Sequence, residues 1–298
     1  MQGVNASVAV TSTSLFAMSL LSDPTQSLEE GKLKLRIELF LDLISASKTY
    51  KDVWLTNTDK SKIIEKTLRL GLINKKLVGN STVYQLSNDE TAILSFYKNN
   101  IAHIFMLHSS ICESLRYVSS ISKEEMKRLV SLVFPFFKRD FHLSERSESL
   151  DHLIDSSLHS LVKLGLVIQK DNGDLIKPEE ESQKYQEFLA VSNICEPSIK
   201  RFYITMHALW NNSPLSREVL QDQCLGVAKK LEEIEGWPYP EFSDKNKFNQ
   251  FIDKMLAEKF IKENSENKLF SSRITNKVKG DYSNFFNAEF IDLIEQLH

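Results

Sequence analysis

The sequence predicts a mainly helical fold with small β-hairpins, an α+β arrangement in which a helical spine carries winged-helix-like helix-hairpin modules. Three observations predict it. Glycine is scarce, nine in 298 residues, whereas open α/β nucleotide-binding folds need glycine at their βα turns and phosphate loops. One stretch, Glu90 to Val118, keeps apolar residues at three- and four-residue steps throughout, the period of an amphipathic helix. A helix followed by two short apolar runs across a polar turn then occurs three times along the chain.

Taken in order, the run Leu15-Phe16-Ala17-Met18-Ser19-Leu20-Leu21 has no Lys or Arg before it and is interrupted upstream by Thr11 to Ser14. It therefore reads as a short folded helix, Ser14 to Ser22, and not as a signal peptide. Ser27 followed three residues later by Glu30 has the form of a capping box, which predicts a longer helix with Leu33, Ile37, Phe40, Leu41 and Ile44 on its apolar face. Lys60 to Leu70 is helical in period and stops at Gly71, and Leu72-Ile73 and Val83 to Leu86 flank the turn Gly79-Asn80-Ser81.

Along the spine, Ile93, Tyr97, Ile101, Ile104, His108, Ile111, Leu115 and Val118 form the stripe, widened by Phe96, Phe105 and Cys112. At about 1.5 Å per residue it spans about 40 Å. Pro135 interrupts the apolar run Leu129 to Phe137, and Pro178 precedes a charged helix start. The helix-then-hairpin signature returns at Leu158 to Ile176, ending its helix at Gly165, and again at Phe251 to Phe270. Ile73, Val167 and Ile261 stand at one interval, about 94 residues, longer than solenoid repeats of about 20 to 50. Trp237-Pro238-Tyr239-Pro240 forces an extended link. Three segments follow: 1–89 with the first helix-hairpin unit, 90–177 with the spine and the second, and 178–298 with the third.

Composition narrows the function classes. The apolar fraction of 42% and charged fraction of 26% are those of an ordinary folded chain, and nowhere do 18 consecutive apolar residues occur. The net charge of −3 gives no general polyanion footprint. The three cysteines, Cys112, Cys195 and Cys224, are far apart and contain no CxxC, so neither a disulfide framework nor a structural zinc site is indicated.

Seven histidines are the natural candidates for acid–base or metal chemistry. His152, Asp155 and His159 share one helix face at metal-ligand spacing, but the opposite face is Leu150, Leu153, Ile154, Leu158 and Leu161, so the polar set reads as the solvated side of an amphipathic helix. His103 and His108 stand about 140° apart on their helix, which suits packing better than joint ligation. No Gly-x-Ser-x-Gly elbow, glycine-rich phosphate loop or Walker lysine occurs. Lys60, Lys62, Lys66 and Arg69, with Lys75 and Lys76, would arm a winged helix for DNA, but Asp59 and Glu65 interrupt them and a solvated charged face is the plainer reading. No catalytic residue, metal site or cofactor is expected.

The segment Phe96-Tyr97-Lys98-Asn99-Asn100-Ile101-Ala102-His103 resembles a motif of the large bacterial glycerol-3-phosphate acyltransferases, Tyr-Arg-Asn-Asn-Ile with a nearby His. Asn5 to Ser22, Phe134 to Phe137, Lys200 to Thr205 and Pro240 to Lys245 resemble the family in the same order, and the likeness thins after about Asn264. Lys98 departs from the family's Arg, and Ser12 and His108 from its Pro. The Lys matters most, since a bidentate Arg contact is not copied by an ammonium.

The resemblance implies transfer of an acyl group from acyl-CoA or acyl carrier protein to the 1-hydroxyl of glycerol 3-phosphate, the first step of phospholipid synthesis. A His, four residues and an Asp carry that chemistry in the family: the His takes the hydroxyl proton and the Asp orients the ring. Here no His is followed at that spacing by Asp, and His108 with Glu113 is the nearest approximation. The resemblance is therefore to the family's non-catalytic C-terminal portion, beginning just after the catalytic domain would end and expected to be inactive alone.

Tyr97, Lys98, Asn99, Asn100 and His103 are then family-motif residues with a structural or interdomain role. The implied partners are a catalytic acyltransferase domain in cis or trans, the acyl donor by way of that domain, and a peripheral site on the cytoplasmic side of the inner membrane, with no nucleic acid. The expected docking surface includes the spine helix or Val8 to Leu21. The alternative is a winged-helix-like interaction module without enzyme activity.

Overall fold

The computed structural model describes residues 8–47, 53–140, 149–235, 242–277 and 279–297. The Trp237 to Pro240 link, His142 and His298 lie outside them. The chain divides into two units, Met1–Ile194 and Cys195–His298. The first holds β1 (Val8–Val10), α1 (Ser12–Leu21), β2 (Ser27–Glu29), α2 (Glu30–Ala46), β3 (Val53–Leu55), α3 (Lys60–Arg69), β4 (Lys75–Val78) and β5 (Ser81–Gln85), followed by α4 (Asn88–Leu115), α5 (Lys123–Asp140), α6 (Leu150–Lys163), β6 (Ile168–Gln169), β7 (Leu175–Ile176) and α7 (Gln183–Ser192). The second holds α8 (Glu196–Asn212), β8 (Leu215–Ser216), α9 (Arg217–Glu235), α10 (Lys245–Ala257), β9 (Ile261–Glu263), β10 (Lys268–Ser271), α11 (Arg273–Lys277), α12 (Lys279–Tyr282), a short 3-10 turn at Ser283–Phe285 and α13 (Ala288–Leu297).

The helix-hairpin modules have one topology. In the first, β2 precedes two helices and pairs with the far strand of the hairpin, giving the order β2-β5-β4. The third repeats it as β8-β10-β9. In the second the leading strand has shrunk to one bridge, Ile121 to Leu175, beside the β6–β7 hairpin. A strand, two helices and a hairpin whose outer strand closes on the first is a winged-helix-like arrangement.

Backbone conformation repeats with it. Gly71, Gly165 and Lys259, just beyond α3, α6 and α10, all have positive φ and stand 94 residues apart. Gly79, Gly173 and Asn267, in the three hairpin turns, do the same at the same interval. The left-handed residue ends the helix and frees the chain to turn into the hairpin.

Local chemistry explains the elements. Thr11 and Ser14 form a reciprocal capping box for α1, and all ten of its residues are buried, as suits a helix of apolar and small hydroxyl side chains with no charged face. α1 is the centre of unit 1, packed against α2, α3 and α4. α4 in turn meets α5, α6 and α7, which makes it the expected spine. Its start is a capping box between Ser87 and Glu90.

In unit 2 the core is aromatic. The Phe202 ring meets Tyr282 at 4.5 Å, and Tyr203 meets Phe286 at 4.8 Å.

Several local expectations give way. Ser27 is not a cap: Ser27–Glu29 is a strand paired with β5, and α2 begins after Glu29 without a side-chain cap bond. Cross-strand pairing won over a local capping pattern. Pro135 lies inside α5 and does not end it. α4 stops at Leu115, short of Val118. Its first turns also rotate the expected stripe outward: Thr91, Leu94 and Ser95 are buried while Ile93 and Phe96 are 42% and 66% exposed.

Candidate functional site

The family-motif residues lie where α4 passes from half-exposed to enclosed. Tyr97, Lys98, Asn99 and His103 are half-buried, Asn100 is exposed, and every residue from Ile104 to Leu115 is buried. Tyr97 stands edge-on to Phe96 at 5.7 Å. Ile93, Phe96 and Asn100, at three- and four-residue steps, form one outward strip. The Asn100 amide is therefore on the solvent side of α4.

Beside the first turns of α4, against the β4–β5 hairpin, lies a groove of about 510 Å³ lined in part by Leu72, Asn74, Lys76, Leu86, Glu90 and Ile93. Its polar groups satisfy one another. Glu90 accepts from the Ser87 backbone N–H at 2.7 Å and from the Asn74 backbone N–H at 3.1 Å and Nδ2 at 3.2 Å. Burial pushes this carboxyl up, but those hydrogen bonds outweigh it and hold the group below its ordinary range. Lys76 Nζ donates to Gln85 Oε1 at 3.1 Å.

The pair closest to a catalytic His-x4-Asp spacing is enclosed. His108 and Glu113 are each 1% exposed. Burial pushes the His108 imidazole down to about 4, against a weaker opposing pull from the Ile104 carbonyl, so the ring is neutral near pH 7. Glu113 is committed elsewhere: its Oε2 accepts from Ser192 Oγ and pairs with Arg116 Nη1 at 3.3 Å. Arg116 also donates to Asn193 Oδ1 at 3.2 Å, Asn193 Nδ2 donates to the Ser22 carbonyl at 3.0 Å, and Lys177 Nζ donates to the Arg116 carbonyl at 3.0 Å. This network ties α4 to α7 and to the end of α1. Five residues along a helix turn two side chains about 140° apart, so Glu113 does not orient the His108 ring as a triad carboxylate does. The charged pair Glu113 and Arg116 at the end of an apolar stripe is the one feature of the sequence that points toward this network.

Of the remaining histidine candidates, His207 is buried, and the His152, Asp155 and His159 set lies toward solvent. His152 and His159 are exposed, and the Asp155 carboxylate between them is held by Lys123 at 2.9 Å and Lys127 at 2.7 Å. Partial burial raises this carboxyl, and the two ammonium groups outweigh that and lower it. Among the described residues no group of three or more His, Cys, Asp or Glu side chains has the geometry to hold a metal ion. On α3, Lys60 pairs with Glu38 at 2.8 Å and Arg69 with Glu65 at 2.5 Å, so two of its four basic residues are neutralised locally. In unit 2, Lys200 and Arg201 are buried, Lys200 pairing with Glu196 at 3.2 Å and lying 4.8 Å over the Phe290 ring. Among the described residues no helix is long and apolar enough to cross a membrane.

Fold and site define a class: a mainly helical protein of winged-helix-like modules in which the His/acid pair nearest the expected spacing is buried. The glycerol-3-phosphate acyltransferase C-terminal region family matches residues 1–264. The chain belongs to that family. Curated relatives agree. A glycerol-3-phosphate acyltransferase of Pseudomonas paraeruginosa (strain DSM 24068 / PA7) is 26% identical over 268 residues, 89% of this chain and 32% of the relative. One of Pseudomonas putida (strain W619) is 25% identical over 297 residues, 99% of this chain and 36% of the relative. One of Pseudomonas savastanoi pv. phaseolicola (strain 1448A / Race 6) is 27% identical over 270 residues, 90% and 32%. The chain thus spans about a third of the length of the relatives it matches.

Proposed function

We propose that this chain is the non-catalytic scaffold of a glycerol-3-phosphate 1-O-acyltransferase, and that it carries out no acyl transfer by itself. Its partner is a catalytic acyltransferase part, in cis or in trans, and the acyl-CoA or acyl carrier protein donor engages that part. In this reading the assembly sits peripherally on the cytoplasmic face of the inner membrane. The segments 1–89, 90–177 and 178–298 are each built around one helix-hairpin module, and the family motif from Tyr97 to His103 lies on the helix joining the first two.

One observation carries the reading. In a chain of this family, His108 and Glu113 are buried and the carboxylate is occupied by Ser192 and Arg116, so this pair is not left to act on a hydroxyl as base and orienting carboxylate. A radiolabelled acyl-transfer assay with glycerol 3-phosphate and acyl-CoA is expected to give no turnover. Turnover abolished by His108→Ala would overturn the proposal.

A second reading has its own support: the strand orders β2-β5-β4 and β8-β10-β9 are those of winged-helix modules, which serve protein or nucleic-acid recognition as well as scaffolding. The neutralised cations of α3 and the net charge of −3 favour the scaffold over a nucleic-acid binder.

A further inference from the structure

Strand β1 pairs with β3 in parallel: Val8 stands opposite Val53, Ala9 opposite Trp54 and Val10 opposite Leu55. Among the described residues neither strand pairs with a third. Parallel strands belong to sheets covered on both faces and joined through crossover connections, and an isolated two-stranded ribbon is marginal in water. Here only one face is covered. Val10 is buried against unit 1, while Ala9 and its partner Trp54 point the other way, Trp54 being 69% exposed. Strand β2 turns Leu28 inward and Glu29 outward; this pair puts out an indole, the side chain with one of the largest apolar areas to bury.

We infer that the β1–β3 pair is the margin of a larger parallel sheet, and that the catalytic part of the acyltransferase assembly completes it and covers Trp54. The inference rests on the scaffold reading above and names its docking surface. Three observations select this occupant. The matched family is a C-terminal region, and the relatives carry about two thirds of their length outside the match, so in them the remaining sequence leads into the counterpart of β1. A strand arriving along that route is tethered next to the open margin, where its effective concentration is high.

The polarity is the second observation. The β1–β3 pair is parallel and joined through a crossover, as in α/β layers, unlike the antiparallel hairpin modules this chain repeats. Third, of the segment Val8 to Leu21, expected with the spine helix as a docking surface, α1 is fully buried inside unit 1, while Ala9 and its cross-strand partner Trp54 are open to a partner. Backbone groups on the strand margin supply affinity in such strand addition, and the large side chain supplies the anchor.

The test is co-expression of this chain with the upstream two thirds of the Pseudomonas paraeruginosa relative, that relative's own last third serving as the control that the upstream part is competent. Co-purification is expected, with amide hydrogen exchange at Val10, Trp54 and Leu55 slowed at least tenfold relative to the chain alone. Trp54→Glu is expected to weaken capture at least tenfold while leaving the chain's thermal melt unchanged. Capture with unaltered exchange at β1 and β3, or protection confined to Ile93, Phe96 and Asn100 on α4, overturns the inference and leaves the scaffold reading standing. An upstream part captured by its own last third but not by this chain overturns both.

Discussion

At the scale of single residues, burial has turned a potential base into an acid-sensitive packing group. His108 is pushed down from 6.5 to about 4 by desolvation. Between those values the unfolded chain binds a proton that the folded chain refuses, so stability is full above pH 6.5 and declines as pH falls toward 4. The slope from one such site approaches roughly 1.4 kcal/mol per pH unit. His207, also lowered, first by burial and then by Lys279, adds a loss of the same sign. His108→Leu is expected to flatten the decline without removing it. Urea titrations at pH 7.5, 6.0 and 5.0 measure this, and a variant whose pH profile matches the parent would show that His108 is not a source of it.

At the scale of elements, the three modules solve the same problem with different residues. Each helix before a hairpin must be ended by a left-handed residue, and two modules use glycine there while the third uses Lys259 at φ 62°. A side chain in that conformation costs roughly 1 kcal/mol. Lys259→Gly is therefore expected to raise stability by about 0.5–1 kcal/mol. Gly71→Ala is expected to lower it by about as much, and through φ alone, because no heavy atom lies within 4 Å of an added Cβ. Chemical denaturation of the two variants measures both effects. Opposite signs are the expected outcome, and a neutral Gly71→Ala would show that the turn relaxes.

At the scale of the whole molecule, the modules share a topology but not a charge. The basic residues Lys60, Lys62, Lys66 and Arg69 cluster on α3, where Glu38 and Glu65 offset two of them, and the chain as a whole is acidic. Binding to a duplex depends on phosphate neutralisation and counterion release. A gel-shift assay with a short duplex at about 0.15 M salt, near physiological ionic strength, is thus expected to show no retarded band. Retardation that weakens steeply with added salt would favour the winged-helix interaction reading.

Features that depend on short-range chemistry can be read directly from the residues. Scarce glycine, a stripe at helical period and turn residues before each hairpin are local, so the helical class, the spine and the 94-residue recurrence of Ile73, Val167 and Ile261 were legible without coordinates. The family was legible too, from Tyr97 to Ala102 and the segments around it. Contacts between distant parts were not. Ser27–Glu29 became a strand because β5, more than 50 residues on, offered it hydrogen bonds. The spine's first turns face outward at Ile93 and Phe96 because Leu94 and Ser95 are the ones enclosed. Glu113 found its partners in Ser192 and Arg116, and Trp54 came to the surface through pairing with Ala9. Periodicity states which residues share a face, but which face is covered depends on elements that arrive from elsewhere in the chain, and tertiary structure alone decides that.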